Sequence, residues 1–169
     1  VVPDNYPYHI GSTLARPDSA DIIAKADCVI VVGSRLSEVD LWRDHLGHTA
    51  KMIRVDTDEN TLNGHGGAFF NIRASSLWFF DALSEELGSA VPATDWKSEA
   101  VATKRAKWRA ELDAERPGIV PVADALKKAL PADTMIYSDM TQFAYAAKEV
   151  YPMDRPGHWH HPNSLGTLG

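Results

Sequence analysis

Four consecutive branched apolar residues, Val29 to Val32, lead directly into Gly33. A run of this kind, with no polar alternation, is typical of a strand that is buried on both faces of a parallel sheet. Before it, Asp18 or Ser19 can cap a short helix that runs to about Lys25. This feature therefore predicts an α/β fold in which Gly33 begins the turn at the carboxyl end of a buried strand.

The alternation of helix and strand continues after Gly33. We predict a helical segment around Leu41, Trp42, His45 and Leu46, a strand from Lys51 to Asp56, a short strand from Phe69 to Arg73, and a helix from Ser75 or Ser76 to Leu87. The last helix carries an apolar stripe at helical spacing, formed by Leu77, Phe80, Leu83 and Leu87. The order predicts a doubly wound, Rossmann-like parallel sheet in a central domain spanning residues 1–90.

A second α/β unit is predicted to begin near residue 119. Residues 91–118 are interpreted as a linker and a connecting helix from about Trp96 to Glu115. Residues 119–169 then supply the first βα elements of another domain. We predict a helix whose residues Val122, Ala125, Leu126 and Ala129 face a core, a buried strand from Thr134 to Ser138, a helix from Gln142 to Val150, and a loop over residues 152–163.

Composition excludes several classes of partner. The 169 residues carry a formal net charge of −6, which disfavours a nucleic-acid backbone as ligand. No apolar run approaches the about 18 residues that span a bilayer, and the first residues form no secretory signal. The single cysteine, Cys28, excludes an internal disulfide, so we expect a cytoplasmic protein. Because the chain begins with Val1 and ends inside a glycine-spaced loop, we expect a fragment of a larger protein.

Three turn motifs could bind a ligand, but for each of them a purely structural role is favoured. Asp56, Asp58 and Asn60 have the opening spacing of a calcium loop, but Gly and Glu are missing at its sixth and twelfth positions, so capping acids are favoured. The segment 64–67 lacks the third glycine of a dinucleotide loop. The segment 33–35 follows a strand and could cradle a nucleotide phosphate, although a plain tight turn is favoured.

Two groups of histidines could ligate a metal. His45 and His48 lie three residues apart, and His158, His160 and His161 cluster near the end of the chain. Neither group has a cysteine or a spaced carboxylate beside it, so a surface helix face and a polar loop are the favoured interpretations. His160 and His161 remain candidates for a substrate-side role, since histidine exchanges protons near neutral pH.

The segment from Asp139 to Gln142 follows a strand and opens a helix. Backbone N–H groups there, with the side chains of Thr141 and Gln142, could receive a phosphate. A simple N-cap by Asp139 or Thr141 explains the segment equally well by itself. Taken with the glycine-spaced loop Gly166 to Gly169, the segment favours a binding site at the carboxyl ends of the strands.

Four segments together resemble the thiamine-diphosphate-dependent enzymes of the acetolactate synthase, pyruvate oxidase and benzoylformate decarboxylase type. Residues 26–36 and 53–58 resemble strands and turns of that family's central domain. Residues 137–142 and 163–169 resemble the opening of its diphosphate-binding domain. The resemblance covers nearly the whole chain, and the ordered pair of C-terminal motifs is its most specific part.

The resemblance implies site residues. Thr141 and Gln142 fall where the family meets the cofactor's diphosphate, although many members have Gly-Gln-His there, so Thr141 and Phe143 are departures. Gly166 falls where a backbone carbonyl accepts from the aminopyrimidine, with Thr167 beside it. Leu168 falls where an apolar side chain holds the cofactor bent. Such pre-organisation holds the two rings in reacting geometry.

The resemblance also implies what lies elsewhere. The family's magnesium motif and its activating glutamate have no counterpart in these residues, so we expect the parent enzyme to use thiamine diphosphate and Mg²⁺ and this fragment to be inactive alone. The expected parent is a homodimer or homotetramer that decarboxylates a 2-oxo acid or performs acetolactate-synthase-like carboligation. Acids follow Arg35 where FAD-binding relatives place a second arginine, so we predict no flavin. The competing function is a non-catalytic module that binds a nucleotide at Gly33 or serves in assembly.

Overall fold

The computed structural model describes residues 2–64, 67–90, 94–162 and 166–167. The chain divides into two compact units, Leu14–Thr94 and a second unit formed by Val1–Thr13 with Asp95–Gly169. The lead-in residues thus group with the C-terminal part, whereas the sequence pattern assigned them to the central domain of residues 1–90. The predicted connecting helix likewise belongs to the second unit. Among the described residues, no helix is long and apolar enough to cross a membrane.

The unit Leu14–Thr94 is built on a parallel sheet. Its elements are α1 (Ser19–Ile23), β1 (Cys28–Val32), α2 (Glu38–Leu41), β2 (Lys51–Asp56), α3 (Glu59–Leu62), β3 (Phe70–Arg73) and α4 (Ser76–Leu87). The strands lie in the order β1-β2-β3, with Val29 opposite Met52 and Val55 opposite Ile72. The predicted α/β class with a parallel, Rossmann-like sheet is confirmed.

The core of this unit lies beside the central strand β2. Its buried cluster comprises Val31, Leu36, Leu41, Leu46 and Met52. Arg54 is also buried, and its guanidinium donates a hydrogen bond to the carbonyl of Ser34 at 3.0 Å. The buried Arg54 of β2 therefore links the turn after β1 to the core.

Three details of this unit differ from the sequence-based predictions. The strand β1 is at the edge of the described sheet, and Ile30 is 45% exposed, so β1 is not buried on both faces. The helix α2 ends at Leu41, because Trp42 adopts a left-handed conformation with φ of 51°; His45 and His48 therefore lie outside a helix. In α4 the predicted stripe is largely exposed (Leu77, 72%), whereas Phe79 is the buried member.

In its described residues, the second unit combines three helices with a small parallel sheet. Its elements are α5 (Ser98–Glu115), α6 (Ile119–Ala129), β4 (Ile136–Tyr137), α7 (Gln142–Val150) and β5 (Trp159–His160). Trp108 and Leu112 of α5 are buried, and Leu112 packs in one cluster with Val120 of α6 and Ala146 of α7. The three helices thus share one buried core.

Three predictions for this unit are wrong. The helix α6 buries Val120 and Ala123, while Val122 is exposed, so its inward face is rotated from the one predicted. The strand β4 is shorter than expected, and Tyr137 within it is exposed. The segment that the sequence predicted as a loop contains β5, which pairs in parallel with β4.

Candidate functional site

The carboxyl ends of β4 and β5 meet at one edge of the small sheet. Tyr137 lies opposite His160, and the N–H of Ser138 donates to the carbonyl of His160 at 3.0 Å. Because the two strands are parallel, the residues that follow each of them emerge at the same edge. Ser138 and Asp139 therefore emerge beside His161, which follows β5 directly.

Thr141 is the N-cap of α7, as one of the two sequence interpretations stated. Its backbone is extended, and its Oγ1 accepts a hydrogen bond from the N–H of Ala144 at 3.3 Å. Gln142, the first residue of the helix, is exposed. The first N–H groups of any α-helix lack intrahelical acceptors and carry partial positive charge, so this helix start could receive an anion.

The described part of the terminal loop is joined to the segment between β4 and α7. The N–H of Met140 donates to the carbonyl of Thr167 at 2.8 Å. Gly166 beside it has a positive φ of 62°, and a Cβ placed there would meet no heavy atom within 4 Å. The two C-terminal motifs are therefore adjacent in space. Leu168 and residues 163–165, which the resemblance also concerns, lie outside the described residues, as does Gly169.

The two candidate histidines occupy different environments. His160 is exposed and stacks on Tyr137, with ring centroids 4.6 Å apart and planes inclined by 11°. His161 is partly buried, and its Nδ1 lies 3.0 Å from Oγ of Ser138. The ring of Tyr145 on α7 meets the imidazole of His161 edge to face at 5.3 Å.

Ser138 connects His161 to a third side chain. The indole Nε1 of Trp159 donates to Oγ of Ser138 at 2.9 Å. Burial lowers the pKa of His161, and the positive charge of Lys148 lowers it further, against an opposing contribution from Asp139. The lowered pKa favours the neutral form of the imidazole. Sequence reasoning missed Ser138 and Trp159, because their roles depend on the pairing of β4 with an unpredicted strand.

His158 belongs to the interior. It is buried, and it meets the ring of Tyr151 edge to face at 5.7 Å. Burial lowers its pKa, with further lowering from the cations Lys127 and Arg155. Within the described part of the chain, no group of three or more His, Cys, Asp or Glu side chains is arranged to hold a metal ion.

In the other sequence motifs, the polar groups form hydrogen bonds within the protein. Asp58 caps α3 by accepting from the N–H of Asn60 and the hydroxyl of Thr61, at 3.0 and 3.1 Å. These hydrogen bonds lower the pKa of Asp58. Asp56 accepts from the N–H of Asp58 at 2.9 Å. At the turn after β1, Ser34 Oγ accepts from Leu36 N–H at 3.1 Å. Segment 64–67 includes residues 65–66, which lie outside the described residues.

Two observations suit a ligand at the β4–β5 edge. Among the described residues, Nε2 of His161 is buried without a hydrogen-bond partner. Gly166 adds no side chain to the neighbouring surface, and the space beside its Cα is open. Thr141, Gln142 and Thr167 supply hydroxyl, amide and backbone groups at the same edge. The donors and open space therefore fit a bound group that carries anionic oxygens.

The comparisons with known proteins agree on one kind of enzyme. No family model matches the chain. It is 31% identical over its whole length to a probable 2-ketoarginine decarboxylase of Pseudomonas aeruginosa. Over 88% of its length it is 25% identical to the large subunit of acetolactate synthase isozyme 1 of Escherichia coli, and likewise to sulfoacetaldehyde acetyltransferase of Alcaligenes xylosoxydans.

The matched region is a minor part of each relative. The chain spans 30%, 26% and 30% of the length of these three proteins, respectively. One of them is an acetolactate synthase, the type of enzyme that the sequence motifs resemble. Together with the parallel α/β fold and the two adjoining C-terminal motifs, the similarity confirms the resemblance to the thiamine-diphosphate-dependent enzymes of the acetolactate synthase type.

Proposed function

We propose that this chain supplies one side of the thiamine-diphosphate site in a magnesium-dependent enzyme that decarboxylates a 2-oxo acid. The observation that carries the proposal is the 2.8 Å hydrogen bond from Met140 N–H to Thr167 O. It joins the two segments that the resemblance assigns to opposite ends of the cofactor. When bound, thiamine diphosphate supplies the electron sink that lets a 2-oxo acid lose carbon dioxide.

Each residue at the edge has a proposed part in holding the cofactor. The helix start at Thr141 and Gln142 would bind the diphosphate, since N–H groups and the helix dipole favour anions there. The carbonyl of Gly166 would accept from the aminopyrimidine, and Leu168 would pack beneath the bent cofactor. The positive φ of Gly166 supports this assignment, because a side chain there would add both strain and bulk.

Decarboxylation is favoured over carboligation by the relative that matches the chain from end to end. That protein is named a probable 2-ketoarginine decarboxylase, whereas the acetolactate synthase is matched over 88% of the chain. We further propose that the active protein is a cytoplasmic homodimer or homotetramer, and that the 169-residue chain alone turns over no 2-oxo acid. Turnover of pyruvate by the purified chain with cofactor and Mg²⁺ would contradict the last point.

Isothermal titration of the purified chain tests the proposed function directly. We expect thiamine diphosphate with Mg²⁺ to bind, and ADP and FAD not to bind. Binding of ADP or FAD in place of thiamine diphosphate would instead support a nucleotide-binding module at Gly33. That alternative has less support, because Gly33 N–H already donates to Val55 O at 2.9 Å, and Ser34 is engaged by Leu36 and Arg54.

A pair of glycine variants locates the binding. Gly166→Ala forces a left-handed conformation on alanine, which costs about 1–2 kcal/mol, and should weaken thiamine diphosphate binding several-fold. Gly118→Ala is the matched control, because Gly118 at the start of α6 also has a positive φ and open space beside it. Equal loss of affinity in both variants would show that the effect of Gly166→Ala is one of general stability.

A further inference from the structure

The hydroxyl of Ser138 lies within hydrogen-bond distance of both Trp159 Nε1 and His161 Nδ1. Indole Nε1 is only a donor, so Oγ of Ser138 must accept from Trp159 at 2.9 Å. The hydroxyl proton then has two acceptors within reach, His161 Nδ1 at 3.0 Å and the carbonyl of His160 at 3.4 Å. Two arrangements satisfy these contacts, because Oγ has two lone pairs: Ser138 donates to Nδ1, which places the proton of neutral His161 on Nε2, or Nδ1–H donates to Oγ and the hydroxyl donates to His160. The first arrangement uses only the contacts of 2.9 and 3.0 Å, whereas the second needs the contact of 3.4 Å, so the geometry favours Nδ1 as the acceptor.

The protonated nitrogen is left with an unused hydrogen bond. Nε2 of His161 is buried and has no partner among the described residues. Leaving a buried donor unpaired is costly, so such a group in a folded protein calls for a partner. The ring itself is fixed by Ser138 on one side and by the edge-to-face contact with Tyr145 on the other.

We propose that His161 is a neutral hydrogen-bond donor to an anionic oxygen bound at the carboxyl edge of β4 and β5. This inference rests on the proposed function, and it assigns a ligand contact to a residue on which the resemblance is silent. The anion is either the carboxylate of the 2-oxo acid or the diphosphate of the cofactor, since both present oxygens that accept from N–H. The ammonium of Lys148, which acts on the same imidazole, favours an anion over a neutral acceptor, and Asp139 opposes it in part.

The arrangement acts through position rather than proton transfer. In the proposed arrangement Trp159 orients Ser138, Ser138 holds the proton of neutral His161 on Nε2, and Nε2–H donates to the bound anion. A neutral donor can bind an anion without losing its proton to it, which suits recognition of the ground state. Trp159 and Ser138 are therefore positioning residues, and His161 is the proposed ligand-binding residue.

Two-bond ¹H–¹⁵N correlation spectra of the chain labelled at histidine test the tautomer. At about pH 7 we expect His161 in the neutral form with its proton on Nε2. Ser138→Ala should convert it to a mixture of tautomers, while Ser138→Thr, which keeps the hydroxyl, should retain the Nε2–H form. A proton on Nδ1, or a charged ring at this pH in the unaltered chain, would overturn the proposal.

Ligand titrations in the same spectra identify the anion. A shift of the His161 Nε2 resonance with inorganic pyrophosphate and thiamine diphosphate would assign the contact to the diphosphate. A shift with pyruvate alone would assign it to the carboxylate. His161→Phe, which keeps an aromatic ring beside Tyr145, should weaken binding of the responding ligand by about tenfold or more. His45→Phe, at an exposed histidine of the unit Leu14–Thr94, should leave that affinity within about twofold.

The outcomes separate this inference from the proposed function. If thiamine diphosphate shifts the amides of Met140 and Gln142 but no ligand moves His161, the cofactor site stands and the role of His161 is wrong. If thiamine diphosphate moves neither set of signals, both the proposed function and the inference fail. If His161→Phe binds the responding ligand as tightly as the unaltered chain, Nε2–H is satisfied by the protein or by water, and the inference is overturned.

Discussion

The two parallel sheets of this protein end in different ways. At the carboxyl ends of β1 and β2, the polar groups are engaged within the protein, since Ser34 is bonded to Leu36 and Arg54, and Asp56 and Asp58 satisfy backbone donors. At the carboxyl ends of β4 and β5, a chain of hydrogen bonds ends at the buried Nε2 of His161, which has no partner among the described residues.

This difference separates structural turns from a candidate site. Open α/β sheets bind ligands at the carboxyl ends of their strands, so strand-end position alone does not distinguish the two sheets. The hydrogen bonds do distinguish them, because the polar groups at the ends of β1 and β2 bond to the turns that follow those strands. At the sheet of β4 and β5, Nε2 of His161 has no partner among the described residues, and the two C-terminal motifs meet at that same edge.

The first prediction tests whether the stability of the sheet β1-β2-β3 comes from its buried face rather than from its strand ends. Met52→Ala should lower the free energy of unfolding by about 2–5 kcal/mol, because Met52 is 1% exposed and its removal leaves a cavity. Ile30→Ala on the exposed side of β1 is the control and should cost less than about 1 kcal/mol. Urea denaturation measures both values, and equal losses would mean that the exposed face of β1 also packs in solution.

The second prediction concerns the cation that ties the first turn to the core. Arg54→Ala should cost about 2–3 kcal/mol, because it removes a charged donor to Ser34 O from the interior. Arg73→Ala provides the matched control on β3, where the side chain is exposed and its ion pair with Glu59 spans 3.9 Å. Surface pairs of that kind contribute about 1 kcal/mol or less. Thermal or chemical unfolding that ranked the two variants in the opposite order would contradict this assignment.

The third prediction compares a serine at each sheet. Ser138→Ala should cost about 1–3 kcal/mol, since it leaves both Trp159 Nε1 and His161 Nδ1 without their partner. Ser34→Ala removes one acceptor for Leu36 N–H and should cost about 0.5–1.5 kcal/mol. Chemical denaturation of both variants measures the difference. A smaller loss for Ser138→Ala would indicate that the strand-end network contributes little to stability.

The fourth and smallest effect is a dependence of stability on pH. Burial lowers the pKa of His9, His158 and His161, all of them in the second unit. Because the folded pKa is below the ordinary 6.5, the unfolded chain binds more protons there. The contribution is complete above pH 6.5 and is lost as the pH falls through that value towards the folded pKa. Urea unfolding between about pH 7.5 and about pH 5.5 should show falling stability, and His161→Phe should flatten the slope.

The backbone was more predictable than the faces that its elements bury. The bounds of β2 and α7 follow from local signals, namely an apolar run ending at Asp56 and a capping threonine at position 141. The direction of an apolar stripe depends on what packs beside it, which is why the stripe containing Leu77 proved exposed and the inward face of α6 was misassigned. Periodicity reports that a stripe exists and says nothing about its neighbours.

The candidate site was predictable only in part, for a similar reason. Thr141 and Gly166 stand out in the sequence through a capping position and a glycine-spaced loop. The pairing of Ser138 with His161 depends on the register of β4 against β5, and β5 is only two residues long. So short a strand among prolines and histidines gives no alternation that could be recognised.

The parallel pairing of β4 and β5 also constrains how the strand-end network assembles. Parallel neighbours cannot be joined by a tight hairpin, so the chain must pass through α7 before Trp159 and His161 reach Ser138. Contacts that close so long a loop form slowly, because the loop-closure entropy is lost before the contact can offset it. The hydrogen-bond network therefore forms only after α7 has packed against the other helices of its unit. A substitution at Ala146, in the buried face of α7, would delay its formation without altering any side chain of the network.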